Sequence, residues 1–249
     1  MTRSSGVILW EGPSPIDGAP IVAIATGLVR ASKNVKTGEM IQVFIVRQDV
    51  HPVEAYVTGA DVAICGACPL RAWSPAGVAQ PRVCYVEVGK SVTAVWRAYV
   101  SGSYPRVSPS EARALFAGRA VRLGAYGDPA MVPYDVLAES VADASLWTGY
   151  THQWRTTDPR WAGLIMASCD SPSDLTLARA QGWRGFVVMP IGVERPAGTV
   201  ECANTRDKNP LQCLDCGMCA GTRLGAASRA VSVAITAHGP GKGFVMATS

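Results

Sequence analysis

Leu164 to Met189 reads LIMASCDSPSDLTLARAQGWRGFVVM, and its pattern is strand, helix, strand. The run Leu164–Ala167 is short and apolar, as a buried strand is. Ser171-Pro172-Ser173-Asp174 then opens a helix, with a capping hydroxyl before a first-turn proline. Gly182 ends that helix, and Gly185–Met189 is a second short strand rich in apolar residues. Units of this length predict parallel neighbours joined by a right-handed crossover.

The same alternation extends outward on both sides. Upstream, Val92–Tyr99 is amphipathic, and Ser108-Pro109-Ser110-Glu111 opens a helix that ends at Gly118. Ala120–Gly124 reads as a strand, Pro129–Val141 as a helix and Leu146–Tyr150 as a strand, while Ala230–Ala237 is expected to be the last strand. The fold class expected is therefore α/β, with parallel strand–helix repeats forming a partial or open barrel-like sheet. Ahead of it, Gly6–Trp10, Pro20–Ala25 and Met40–Arg47 form an N-terminal β region, broken by Gly, Pro and Asp. Met40–Arg47 is too apolar to alternate, which suits a strand covered on both faces. Asn34-Val35-Lys36-Thr37-Gly38 reads as a hairpin tip, and His51 beside Pro52 as a loop residue. The chain divides at 1–90 (β region with a first cysteine group), 91–200 (β/α core) and 201–249 (cysteine-rich metal-binding lobe and final strand).

In parallel sheets the functional side chains gather at the carboxyl ends of strands. Here those ends carry Tyr126-Gly127-Asp128, Tyr150-Thr151-His152-Gln153-Trp154, Ser168-Cys169-Asp170, Met189-Pro190 and His238-Gly239. Asp128, His152 and Asp170 are the candidate catalytic residues, suited to position a substrate or move protons. Helix capping is the plainer role for Asp128 and Asp170, and buried filling for Cys169.

Eight cysteines fall mainly into two groups. Glu201–Gly221, ECANTRDKNPLQCLDCGMCAG, holds Cys202, Cys213, Cys216 and Cys219. A C-x-x-C-x-x-C run lets successive thiolates turn around one centre, as in chains that wrap a cubane 4Fe–4S cluster. Structural zinc is the competitor, although it more often uses two separated knuckles. The segment has too few large apolar residues to hold its own shape, so a metal would determine its fold. The first group is Cys65-Gly66-Ala67-Cys68-Pro69 with Cys84-Tyr85. Pro69 and the loop Ser74–Pro81 exclude the immediate long helix of a thioredoxin-like dithiol. Three thiolates suit a cluster with one iron open to a ligand, a site completed by a non-cysteine group, or a zinc staple.

A chain of 249 residues, 48% of them hydrophobic, can bury one substantial core. A net charge of +4 without a dense basic tract permits nucleic-acid contact without arguing for it. MTRSSGVILWEGPSP carries no signal-peptide pattern and no apolar run reaches membrane-spanning length, so a cytoplasmic place is expected. No phosphate loop or dinucleotide glycine fingerprint occurs, which argues against nucleotide hydrolysis and nicotinamide binding.

Several features share an order with a known family. They are Asn34-x-Lys36-Thr37-Gly38, Cys68-Pro69 with Cys84-Tyr85, Arg122-x-x-x-x-Gly127-Asp128, Tyr150-Thr151-His152-x-Trp154 and the closing cysteine set. From about Asn34 to Gly221 the chain resembles the bacteriophage gene product 88 family. That resemblance implies a phage origin and a host-cytoplasm setting, and no particular reaction. The chain departs from it with Ala203, where the family often has proline, and with Thr151-His152, where it often has Thr-Arg. More loosely, Cys84-Tyr85 ahead of strand–helix repeats is similar to radical S-adenosylmethionine enzymes, though the spacing of Cys65, Cys68 and Cys84 differs from theirs. That similarity implies a 4Fe–4S cluster on these three cysteines with Tyr85 beside it, S-adenosylmethionine on its open iron, and a second cluster on the carboxyl-terminal group. The function expected is redox or radical chemistry on a small-molecule or macromolecular substrate. The alternative is a zinc-stabilised module that binds nucleic acid or a host protein.

Overall fold

Runs of β-branched and apolar residues make the first strands, β1 (Gly6–Pro13), β2 (Pro20–Thr26) and β3 (Ile41–Arg47). The computed structural model describes residues 4–30, 35–206, 208–222, 231–237 and 242–244. Two short helices follow the first strands, α1 (Pro52–Thr58) and α2 (Val62–Cys65), and then α3 (Thr93–Val100) and α4 (Pro109–Phe116). The chain continues with β4 (Ala120–Tyr126), α5 (Tyr134–Ser140), β5 (Leu146–Thr148), β6 (Tyr150–Thr151), α6 (Trp161–Leu164) and β7 (Met166–Cys169). It closes with α7 (Pro172–Ala180), β8 (Gly185–Met189), β9 (Thr199–Glu201), α8 (Cys213–Cys216) and β10 (Ser232–Thr236).

The strands form two sheets of five, ordered β1-β2-β3-β4-β5 and β6-β7-β8-β10-β9. β1, β2 and β3 pair antiparallel, whereas β3-β4-β5 and the whole second sheet are parallel. Only Gly149 separates β5 from β6. Its N–H turns away to the carbonyl of Cys219 at 3.0 Å, and a Cβ there would stand 2.5 Å from Ile165 Cγ2. Among the described residues the sheets do not close into a barrel. β3 is buried along six of its seven residues, as its unbroken apolar sequence requires. Ile21, Ile24, Ile45, Leu123, Leu137, Phe116, Trp161 and Ile165 fill the core, and Met166, Cys219 and Val233 form a satellite cluster under the cysteine lobe. Among the described residues no helix is long and apolar enough to cross a membrane.

Several expected elements shift. The single helix over Pro129–Val141 is instead a 3-10 turn, Pro129–Met131, followed by α5. Pro133 stands between them, since it cannot donate to a continuing helix. The run Leu164–Ala167 is divided between the end of α6 and the start of β7. His51 is the N-cap of α1, with Nδ1 accepting from Val53 N at 3.3 Å. α4 has the capping box its sequence announced, Ser108 with Glu111, and Ser171 caps α7 through Asp174 N. Asn34, Ala230, His238 and Gly239 lie outside the described residues.

Candidate functional site

The first cysteine group hangs on α2 and the turn after it. Cys65 closes α2, and Gly66 takes a positive φ of 52° where a Cβ would stand 2.5 Å from Gln153 Oε1. Gln153 grips that turn from both sides: Nε2 donates to the Cys65 carbonyl and Oε1 accepts from Ala67 N, each at 3.2 Å. From behind, the buried Arg71 holds Asp61 at 2.5 Å and the Gly59 carbonyl at 2.7 Å. Cys84 approaches from the loop beyond. Burial pushes the Cys65 thiol well above the ordinary range, and Cys68, Asp61 and Cys84 push the same way against Arg71. Cys84 is likewise raised by burial, with Arg82 opposing and Cys68 adding. Cys65 and Cys84 thus both feel Cys68.

The strand ends meet this group. Asp128 follows β4, His152 follows β6 and Asp170 follows β7. Asp128 is buried and saturated. Oδ1 accepts from Ala130 N, while Oδ2 accepts from Thr151 Oγ1 (3.0 Å), His152 N (2.9 Å) and Gln153 Nε2 (3.2 Å). Burial raises its pKa and these donors pull it back. It therefore has the capping role, and it also orients the His152 backbone. Asp170 does not cap α7, because Ser171 does. Its Oδ2 stands 3.5 Å from His152 Nε2. Burial acts to lower the His152 pKa, but Cys68 and Asp170 beside the ring outweigh it and hold the imidazole well above its usual value. Buried Nε2 makes no well-formed hydrogen bond. Cys169 is buried, its thiol pushed up to about 12 by burial and bonded to the Ala167 carbonyl, which is a filling role.

The second group is assembled from three directions. Cys202 follows β9, and its N–H bonds the Ala234 carbonyl at 2.8 Å. α8 carries Cys213 and Cys216, docked by Cys213 N on the Lys36 carbonyl (2.9 Å) and Leu214 N on that of Thr37 (3.2 Å). The stretch 35–38 is a turn in the connection between antiparallel β2 and β3, in keeping with the hairpin expected, and it is also a seat for the cysteine lobe. Cys219 is buried, its loop held by Arg184, which donates to Met218 O (2.8 Å), Ala220 O (2.6 Å) and Val231 O (2.9 Å). Cys202, Cys213, Cys216 and Cys219 all line one cavity of about 30 Å³. Burial raises Cys202, Cys213 and Cys219, the last to about 12. Tyr150 bonds the Cys219 thiol and Arg122 lies near Cys213, both acting in the opposite sense.

Between the groups lies a cavity of about 210 Å³. Cys65, Cys68, Cys84, Tyr85, Asp128 and His152 line it, and so do Cys202 and Cys213. Tyr150, Asn204, Cys202 and Cys213 belong to both this cavity and the smaller one. In the sequence Arg122 stood out only within the family motif and Gln153 only at a strand end, neither with a role, and Arg184 not at all. Their contacts are with residues far away in the chain, which no local pattern shows. Among the described residues, no group of three or more His, Cys, Asp and Glu side chains is already drawn up as a metal site. No family model, curated protein or solved structure matches the chain.

Proposed function

We propose that this chain is an iron–sulfur protein, phage-encoded and acting in the host cytoplasm, with redox or radical chemistry in the cavity between the two cysteine groups. One observation carries the reading: both groups open onto the same cavity, at the carboxyl ends of parallel strands. Within their two sheets β3-β4-β5 and β6-β7-β8 each run in chain order, as in a partial barrel, although β9 lies outside β10. The donor chemistry suits the cofactor, since seven thiols in two groups line two adjoining cavities. Cys65, Cys68 and Cys84 would hold one 4Fe–4S cluster, leaving one iron for an exchangeable ligand such as S-adenosylmethionine, and Cys202, Cys213, Cys216 and Cys219 a second, closed one. Such clusters supply single electrons at potentials tuned by burial and hydrogen bonds to sulfur. The Tyr150 hydroxyl beside Cys219 acts in that sense. His152 lines the cavity and turns its Nε2 to Asp170, a pair that can hold or pass a proton, while Asp128 fixes the backbone that carries the ring.

A specific observation favours a second reading. His152 lies against Cys68, and three cysteines with one histidine are a closed zinc set. On that reading the chain is a zinc-stabilised module, without catalysis, that binds nucleic acid or a host protein. Anaerobic purification, iron and sulfide reconstitution, and paramagnetic resonance of the reduced protein with and without S-adenosylmethionine separate the two. A cluster signal that changes on addition is expected. Full zinc occupancy with no reconstitutable cluster would leave only the module.

A further inference from the structure

We infer that the cavity between the cysteine groups takes a small organic acid, its carboxylate held by Arg122 and its apolar body packed inside. Only the role of that molecule as substrate rests on the function proposed above. Its binding stands on the cavity alone.

Arg122 projects from β4 at the wall between the 210 Å³ cavity and a wider groove of about 710 Å³. Lys36, Tyr85, Val86, Arg122 and Ala125 line both, so a ligand moving from groove to cavity passes the guanidinium. Arg122 Nη2 donates to Tyr85 Oη at 2.8 Å, and a guanidinium has five N–H donors in a planar fork. Among the described residues it forms no ion pair with a carboxylate. The carboxylates lining the two cavities are engaged elsewhere: Asp128 holds four donors and Glu87 is paired with Lys90. Arg122 is half-buried, and a cation partly withdrawn from water without a counter-charge favours an anion beside it. Cys213 lies near it, but burial raises that thiol and leaves it uncharged unless a metal takes it. The shape of the cavity favours a ligand, because beyond Arg122 the wall turns apolar, with Val83, Val86, Phe186, Val188 and Ile235. An inorganic anion would leave that surface uncovered, whereas an organic acid covers it. Pockets for drug-sized ligands run from about 300 Å³ upwards, so the acid is small.

The test is calorimetric titration of the anaerobically purified full chain with benzoate, its neutral counterpart benzamide, and inorganic phosphate. Benzoate is expected to bind once per chain, with benzamide weaker by about tenfold or more, the worth of a charge-assisted bidentate contact. Arg122→Met should bring benzoate down to the benzamide level with metal content unchanged, and Arg122→Lys should retain part of the preference. Equal binding of benzoate and benzamide by the unaltered chain would overturn the inference, even if Arg122→Met failed to fold. So would phosphate binding as tightly as benzoate, or an Arg122→Met chain that sheds its metal yet keeps benzoate, which would make Arg122 the counter-ion of Cys213. A colourless zinc protein that binds benzoate through Arg122 would sink the iron–sulfur reading alone. A brown protein indifferent to benzoate would sink this inference alone.

Discussion

Arg184 sits just before β8 with its guanidinium buried among the carbonyls of Met218, Ala220 and Val231. Removing the donor leaves several of those oxygens without a partner, each worth about 1–3 kcal/mol. Arg184→Met is therefore expected to cost about 2–4 kcal/mol, seen as a lower urea midpoint. On the cluster reading it should also weaken metal retention at Cys219, measured by metal content after dialysis. The Asp61–Arg71 pair behaves differently, since both partners are charged and buried. Asp61→Ala alone should cost about 3–5 kcal/mol by stranding Arg71. The double variant Asp61→Ala with Arg71→Met should recover a large part of that, because the stranded charge is gone. A double variant less stable than the single one would contradict this account.

At the scale of elements, the break at Gly149 is specified by contact. A methyl there would press on Ile165, so Gly149→Ala is expected to destabilise by about 1–3 kcal/mol, as overpacking does, with a thermal melt as the check. Ser108→Ala should cost about 1 kcal/mol through loss of the α4 cap. Such caps were legible in sequence because a cap is local: Ser108 with Glu111 and Ser171 with Asp174 each lie within one turn. β8 was equally legible, a short apolar run between glycine and proline. The start of β7 was not, because Leu164 and Met166 are equally apolar and only packing decides that one ends a helix and the other begins a strand. β9 has three residues and too little pattern to find. In the site, the cysteine spacings and the strand-end rule brought out the thiols, Asp128, His152 and Asp170. What could not be read was who touches whom. Gln153 gripping the Cys65 turn and Arg184 gripping the Cys219 loop span 88 and 36 positions.

For the whole molecule, the cysteine lobe differs in kind from the scaffold. α8 has no buried residue, and its attachments are mostly backbone bonds to Lys36 and Thr37. Cys216→Ser is expected to lose the lobe's metal and to raise hydrogen exchange across 201–222, while β2 and β3 stay protected. Unchanged exchange with full metal content would contradict this. β2 and β3 belong to the main core, which includes Ile21 and Ile165 and draws on no residue of 201–222.

On the two-cluster reading, the kinked strand around Gly149 ties the two centres into one thermodynamic system. Within four successive residues it sends the Gly149 N–H to the Cys219 carbonyl, the Tyr150 hydroxyl to the Cys219 thiol and the His152 ring to Cys68. Ordering that strand at one end readies the other, so occupancy at each centre should raise affinity at its neighbour, and by linkage the factor must be the same in both directions. Metal titrations of Cys68→Ser and Cys216→Ser would measure it, each variant reporting on the centre left intact, with a weakening of about 5-fold or more expected. The two centres should then fill as a pair, and chains carrying a single one should be scarce during assembly.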